Sequence, residues 1–262
     1  MEIVIMRLAG ICLIIALIII CIVLATDFAG YIQTGGNTGA ERIERVEYVN
    51  EGISAVYPKI IAANENEAID RLNEIIMEDF NRILQIYSFT PFEPDRMSPG
   101  QGAIILDISY QIKLNNPEII SIFYLAAFNS PYSAHPTRLA YTSNIDRKNL
   151  KRLVLGDIVR LDTDFVVNFK GWKLVNEEKY TEYIKQGITE YISGMETETL
   201  LSGMKTADII GSENKLGIFS YLTGDRLGIS LGLPNYLGDH AEFEMDYQSL
   251  ASYLEPGFIV PK

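Results

Sequence analysis

Residues 8–25 read LAGICLIIALIIICIVLA, 18 positions without a charge. As a helix rising 1.5 Å per residue this run spans roughly 27 Å, close to the ~30 Å hydrocarbon core of a bilayer. It has no polar face, which separates it from a helix that packs on a soluble core. Arg7 stands before it and Asp27 after it, an arrangement that favours a cytoplasmic amino end. Val23-Leu24-Ala25 also suits a signal-peptidase site, and cleavage there stays open as the alternative. The run is longer than the 7–15 apolar residues of a typical signal peptide, so an uncleaved anchor is the leading expectation. Lipidation of Cys21 fits worse, because Ile20 stands where that processing wants a small residue. Either leading outcome exports the rest of the chain. It is then a single-pass cell-membrane protein with its bulk extracytoplasmic, or a secreted one.

The expected organisation follows from there: a cytoplasmic stub at 1–7, the anchor at 8–25, a glycine-rich tether at 26–42, and two α+β lobes at 43–147 and 148–262. Twenty-two Lys and Arg against 34 Asp and Glu leave a net charge of −12. Glu2 and Arg7 cancel, so the whole deficit falls on the exported part. An acidic body of this kind repels phosphate backbones and excludes a nucleic-acid partner. Cys12 and Cys21 are the only cysteines, which leaves the body without disulfide or thiolate chemistry.

Within the body, Ile69, Leu72, Ile76, Phe80, Ile83 and Tyr87 recur at three- and four-residue steps and predict a helix over 64–87. Asn64 followed by Glu67 imitates a capping box, and Glu74, Glu78, Asp79 and Arg82 read as its solvated face. A strict alternation, with Leu106, Ile108, Tyr110, Ile112 and Leu114 on one side, predicts a strand over 104–114. Asn115-Asn116-Pro117 turns it back into a strand over 118–129, a hairpin with one buried and one wetter face. A third strand is expected over 138–145 and a second helix over 176–201. A hairpin is expected over 216–222 and 227–233, and a last strand over 241–247. Helix and strands in this order make the fold α+β: two small lobes of antiparallel sheet packed on helices, preceded by one transmembrane helix.

Few residues carry specific chemistry. Gly228-Ile229-Ser230-Leu231-Gly232 matches the G-x-S-x-G of serine hydrolases, but Pro234 follows and no helical pattern succeeds it, so the match reads as a strand with glycines. His135 and His240 are the only histidines, and neither sits in a metal-ligand spacing. No catalytic residue, metal ligand or cofactor motif is assigned. Thirty-four carboxylates leave a paired-acid glycosidase site open, since that test is a distance in space. Trp172 and the 15 tyrosines offer aromatic faces for a sugar or protein ligand, although most of the tyrosines fall on core stripes. Tyr132 and Tyr236 fall in loops instead.

Three stretches resemble a known family when taken together. The first is Val56-Tyr57-Pro58-Lys59-Ile60 before a capped helix. The second runs from Ala134-His135-Pro136 through Tyr141, Asn144 and Asp146 to Leu153-Val154-Leu155-Gly156-Asp157-Ile158. The third is residues 219–229 with Phe243-Glu244-Met245-Asp246-Tyr247-Gln248-Ser249-Leu250. They resemble the extracytoplasmic domain family of the anti-sigma factor RsiV, a lysozyme receptor, and the domains that precede the catalytic part of the peptidoglycan deacetylase PdaC. Where that family carries paired glycines before Ala-His, this chain has Tyr132-Ser133.

The resemblance implies an envelope-facing ligand-binding module, for a lysozyme-like cationic protein or a cell-wall glycan. Tyr132, His135, Tyr236 and His240 are the candidate binding residues. The competing expectation is an enzyme that modifies cell-wall sugars through paired carboxylates or His135.

Overall fold

The computed structural model describes residues 41–50, 52–64, 66–88, 105–130 and 133–261. The expected anchor and almost all of the tether lie outside them. No helix among the described residues is long and apolar enough to cross a membrane.

The first sheet holds six strands in sequence order: β1 (Glu41–Asn50), β2 (Ile53–Ala62), β3 (Ile105–Asn115), β4 (Ile119–Asn129), β5 (Thr137–Asp146) and β6 (Lys151–Arg152). Neighbours run antiparallel except β2 and β3, which are parallel from Ile53↔Leu106 to Ala55↔Ile108 and are linked through helix α1 (Glu67–Ser88). Beyond Ala55 the β2 backbone loses β3, and Asn73 of α1 takes its place. The Asn73 side chain accepts from Ile60 N–H and donates to Ile60 O, both at 2.8 Å. This is what a buried peptide group requires when its ladder ends.

Helix α1 buries the predicted stripe of Ile69, Leu72, Ile76, Phe80 and Ile83 on this sheet, and Ile75 beside it. At about 1.5–3 kcal/mol per side chain, these contacts make α1 the main apolar cover of the sheet. Its cap is Asn66 rather than the expected Asn64, because the helix begins at Glu67. Asn66 Oδ1 accepts from Ala68 N–H at 3.0 Å and Ile69 N–H at 3.3 Å. Asp79, expected among solvated residues, is buried. Ser143 Oγ donates to it at 2.6 Å and Arg152 Nε at 2.8 Å, a pairing that periodicity along one helix does not reveal.

The second sheet is assembled from distant pieces. Helices α2 (Leu155–Ile158) and α3 (Thr163–Phe169) lead into β7 (Lys173–Leu174), followed by α4 (Glu182–Gly194) and α5 (Thr197–Met204). Then come β8 (Phe219–Leu222), β9 (Arg226–Gly232) and β10 (His240–Asp246), in the spatial order β7-β10-β9-β8. The helices bury Phe165, Phe169, Ile188, Ile192 and Leu200 against Leu227, Ile229 and Leu231 of β9. The single helix expected over 176–201 is therefore broken. Thr181 caps α4 through Ile184 N–H, and Met195 and Glu196 turn extended before α5. Lys170 Nζ donates to Met195 O at 2.6 Å, which satisfies a carbonyl at that break. The predicted hairpin is β8–β9, and Ser230 of the G-x-S-x-G run lies fully buried in mid-strand, opposite Phe219 and Glu242.

The two sheets meet at β8, whose outer edge has no strand partner among the described residues. Side chains of the first sheet and one loop aspartate fill that edge. Leu222 N–H donates to Ser121 Oγ at 3.0 Å, and Ser121 Oγ donates to Asn144 Oδ1 at 2.7 Å. Asn144 Nδ2 donates to Ser220 O at 2.9 Å. Asp208 accepts from Ser220 N–H, from Ser220 Oγ at 2.7 Å, from Leu155 N–H at 2.7 Å and from Thr142 Oγ1 at 3.3 Å. This contact gives β4 two buried faces. The wetter face expected of the β3–β4 hairpin is covered there by β8, which packs Tyr221 edge-on to Phe123 at 5.6 Å. Lys113 closes the seam. Its ammonium lies 4.7 Å over Phe123 and 4.4 Å over Tyr221, and pairs with Glu242 at 2.9 Å.

Two outcomes follow for stability. Asp208→Ala strips buried donors of their acceptor and lowers unfolding free energy by at least about 2 kcal/mol in a denaturant titration. Burial pushes the Asp208 carboxyl up to about 6, against the pull of its hydrogen bonds. Between the ordinary aspartate value near 4 and that raised value, the folded state holds a proton the unfolded chain has released. Stability from this group is therefore greatest below pH 4 and is lost as pH rises towards 6. Asp208→Asn flattens the stability–pH curve across that window.

Candidate functional site

Two loops singled out by the sequence meet in the fold. Asn235 Nδ2 donates to Pro136 O at 3.4 Å, Arg138 N–H donates to Asp239 Oδ2 at 2.9 Å, and His240 Nδ1 lies 3.1 Å from Arg138 O. Asp239 is the joint. It has positive φ (69°), is buried, and its second oxygen takes Asn235 Nδ2 at 3.0 Å. Aspartate tolerates this left-handed backbone better than most residues and can hydrogen-bond locally there.

Beside this joint lies a groove of about 840 Å³. Tyr141, Phe219 and Leu139 line it from the strands, Arg82 and Ile86 from α1, and Tyr191 from α4. Segment 210–217 contributes Ile210, Ser212 and Lys215, and His240 and Asp239 complete the lining. The volume and the mixture of aromatic, aliphatic and a few polar groups are those of a small-ligand site. Two of its aromatics are held from behind. Tyr141 packs edge-on to Phe219 at 5.2 Å, and its hydroxyl shares a 3.0 Å hydrogen bond with Tyr87. Burial raises both tyrosine hydroxyls, so they act as neutral partners.

The rim segment is clipped in place. Asn214 bonds Ile218 through both its amide atoms, at 2.7 and 2.9 Å, and Gly232 N–H donates to Leu216 O at 3.1 Å. A Cβ on Gly232 would lie 2.8 Å from that same carbonyl oxygen, so a glycine is needed for the approach.

The four expected binding residues have different fates. His240 lines the groove, and burial lowers its imidazole from the ordinary value, which keeps it neutral as an acceptor or single donor. His135 is exposed on the adjoining loop, with Nδ1 3.3 Å from Pro136 O. Tyr236 is 69% exposed in a short 3-10 turn, and neither it nor His135 lines the groove. Tyr132 lies outside the described residues. Trp172, considered for an aromatic binding surface, is core: it is buried against Phe165 and Phe169 and donates to Asn168 Oδ1 at 2.8 Å. Sequence reasoning missed Tyr141, Phe219 and Tyr191 because each also fits a core stripe or strand face. Among the described residues no group of three or more His, Cys, Asp or Glu is placed to hold a metal ion.

No protein-family model matches the chain, and no curated protein matches it. Solved structures similar to it include two DUF3298 family proteins. One is a member of the DUF3298 family from Bacteroides fragilis NCTC 9343, 16% identical, with a TM-score of 0.49 over 84% of this chain and 96% of that one. The other is a DUF3298 family protein from Pseudomonas aeruginosa PAO1, 12% identical, with a TM-score of 0.46 over 85% of this chain and 97% of that one.

The rim geometry gives a direct expectation. Gly232→Ala pushes segment 210–217 away from β9 and costs about 1–3 kcal/mol of stability, measured by chemical unfolding. Gly224→Ala, where a Cβ would meet nothing within 4 Å, costs less than about 1 kcal/mol.

Proposed function

We propose that this protein is a membrane-anchored, extracytoplasmic ligand-binding module of a bacterial envelope, and that the groove between α1, β5 and segment 210–217 takes a cell-wall glycan. The observation that carries this reading is the groove itself: Tyr141, Phe219 and Tyr191 supply ring surface, and Arg82, Lys215, Ser212 and His240 supply polar atoms around it. Sugar rings present both an apolar face and hydroxyl edges, and such a lining answers both. The run at 8–25 and the resemblance to RsiV- and PdaC-type domains support the envelope setting.

The net charge of −12 supports a second ligand class, a cationic protein such as lysozyme. The groove argues for the glycan first, because its long charged side chains are Arg82 and Lys215 rather than carboxylates. An enzymatic role has less support. Buried Asp79 and half-buried Asp208 spend their lone pairs on internal donors, and Asp239 joins two loops.

Titration of the full chain in detergent with soluble peptidoglycan fragments and, separately, with lysozyme tests the proposal. Glycan binding is expected, with Tyr191→Ala and Ile86→Asp each weakening it roughly threefold to tenfold while circular dichroism stays unchanged. Binding of lysozyme alone, with affinity falling steeply as salt rises, transfers the role to the second class. Binding of neither ligand at low salt overturns both.

A further inference from the structure

β1 is the end strand of the six-stranded sheet, and no described strand pairs with its outer edge. The hairpin decides which groups lie on that edge. β1 and β2 are in register from Asn50↔Ile53, and on the far side of β2 Leu106 N–H donates to Gly52 O at 2.8 Å. Hydrogen bonding alternates along an antiparallel ladder, so the even-numbered residues of β1 bond to β2. Ile43, Arg45, Glu47 and Val49 therefore turn their peptide groups outward. The side chains here are accessible: Arg45 is 58% exposed, Glu47 62% and Val49 77%.

We propose that β1 pairs antiparallel with β1 of a second copy of this chain, about a two-fold axis at Val46. Arg45 then lies opposite Glu47 of the second copy, Glu47 opposite its Arg45, Ile43 opposite Val49, and Val46 opposite itself. The outward peptide groups of residues 43, 45, 47 and 49 fall into mutual register. Within one chain Arg45 and Glu47 already pair at 2.6 Å, so the contact joins two ion pairs into one network.

Charges on an edge strand usually keep copies apart. Here the order of signs repels in several registers, and the axis at Val46 is the one that sets Arg45 and Glu47 opposite each other in both directions. Axes at Glu44, Arg45 or Glu47 set a like charge against itself. An axis at Ile43 pairs only the first five residues of β1 and engages Glu41, which is held by Arg147. A single strand pair buries less than the ~1,200 Å² of a standard interface, so association is weak in solution and is promoted by tethering both copies to one membrane.

Cross-linking of the full chain in detergent, in a Cys12→Ser, Cys21→Ser background, tests the register. Facing residues of a non-hydrogen-bonded pair have Cα atoms about 4.5 Å apart, within disulfide reach. Val46→Cys is expected to form a covalent dimer on mild oxidation, and Lys59→Cys, exposed on β2, is not. Arg45→Glu lowers the Val46→Cys dimer yield roughly tenfold, and adding Glu47→Arg restores it, because the swap rebuilds both opposite-charge pairs. Circular dichroism checks that each variant is folded; should Arg45→Glu unfold, Glu47→Arg alone serves as the single-charge arm. Cross-linking at Val46 no faster than at Lys59, or a yield indifferent to the charge variants, overturns the proposal.

Discussion

The unpaired edge of β8 is the constraint on which the rest of this structure depends. A buried four-residue strand at the end of its sheet must satisfy peptide groups that no further described strand reaches. Ser121, Asn144 and Asp208 do so from three different parts of the chain. Because these partners come from β4, β5 and the segment before β8, the edge is closed only when both sheets have formed and docked. The same contact explains why β4 is apolar on both faces and why Lys113 is held over two rings.

The groove is a by-product of that docking. Its strand-side wall is Tyr141 and Phe219, the residues that flank the polar seam on β5 and at the start of β8. Its rim is the segment that must travel from Asp208, held at positive φ, to β8. Asn214 and Gly232 then pin that segment without covering the cavity. The ligand-sized space therefore sits where β5 of the first sheet faces the segment that enters β8 of the second, as such spaces often do between packed layers.

Much of this was legible in the residues. The α1 stripe, the β3–β4 hairpin, the β8–β9 hairpin and the last strand follow from period alone, and Pro234 was enough to dismiss a nucleophile at Ser230. What failed was whatever depends on partners distant in sequence. Asp79 has the spacing of a solvent-facing residue and is buried because Ser143 and Arg152 wait for it. The 176–201 stretch has one apolar stripe, yet Lys170 stabilises a break at Met195. Of the candidate site, the sequence names His240 but does not tell whether its loop meets that of Pro136, since that contact joins residues about a hundred positions apart. The aromatic lining was not legible, because a tyrosine on a strand reads the same whether it faces a core or a cavity.

One consequence of the sealed edge concerns motion. In an ordinary sheet the amides of an edge strand exchange with solvent by local fraying. Ser220 and Leu222 cannot fray in that sense, since their N–H groups are held by side chains rooted in other elements. Their exchange with deuterium reports the parting of two whole sheets. A buried strand of four residues at the end of its sheet thus reports on the docking of the whole fold.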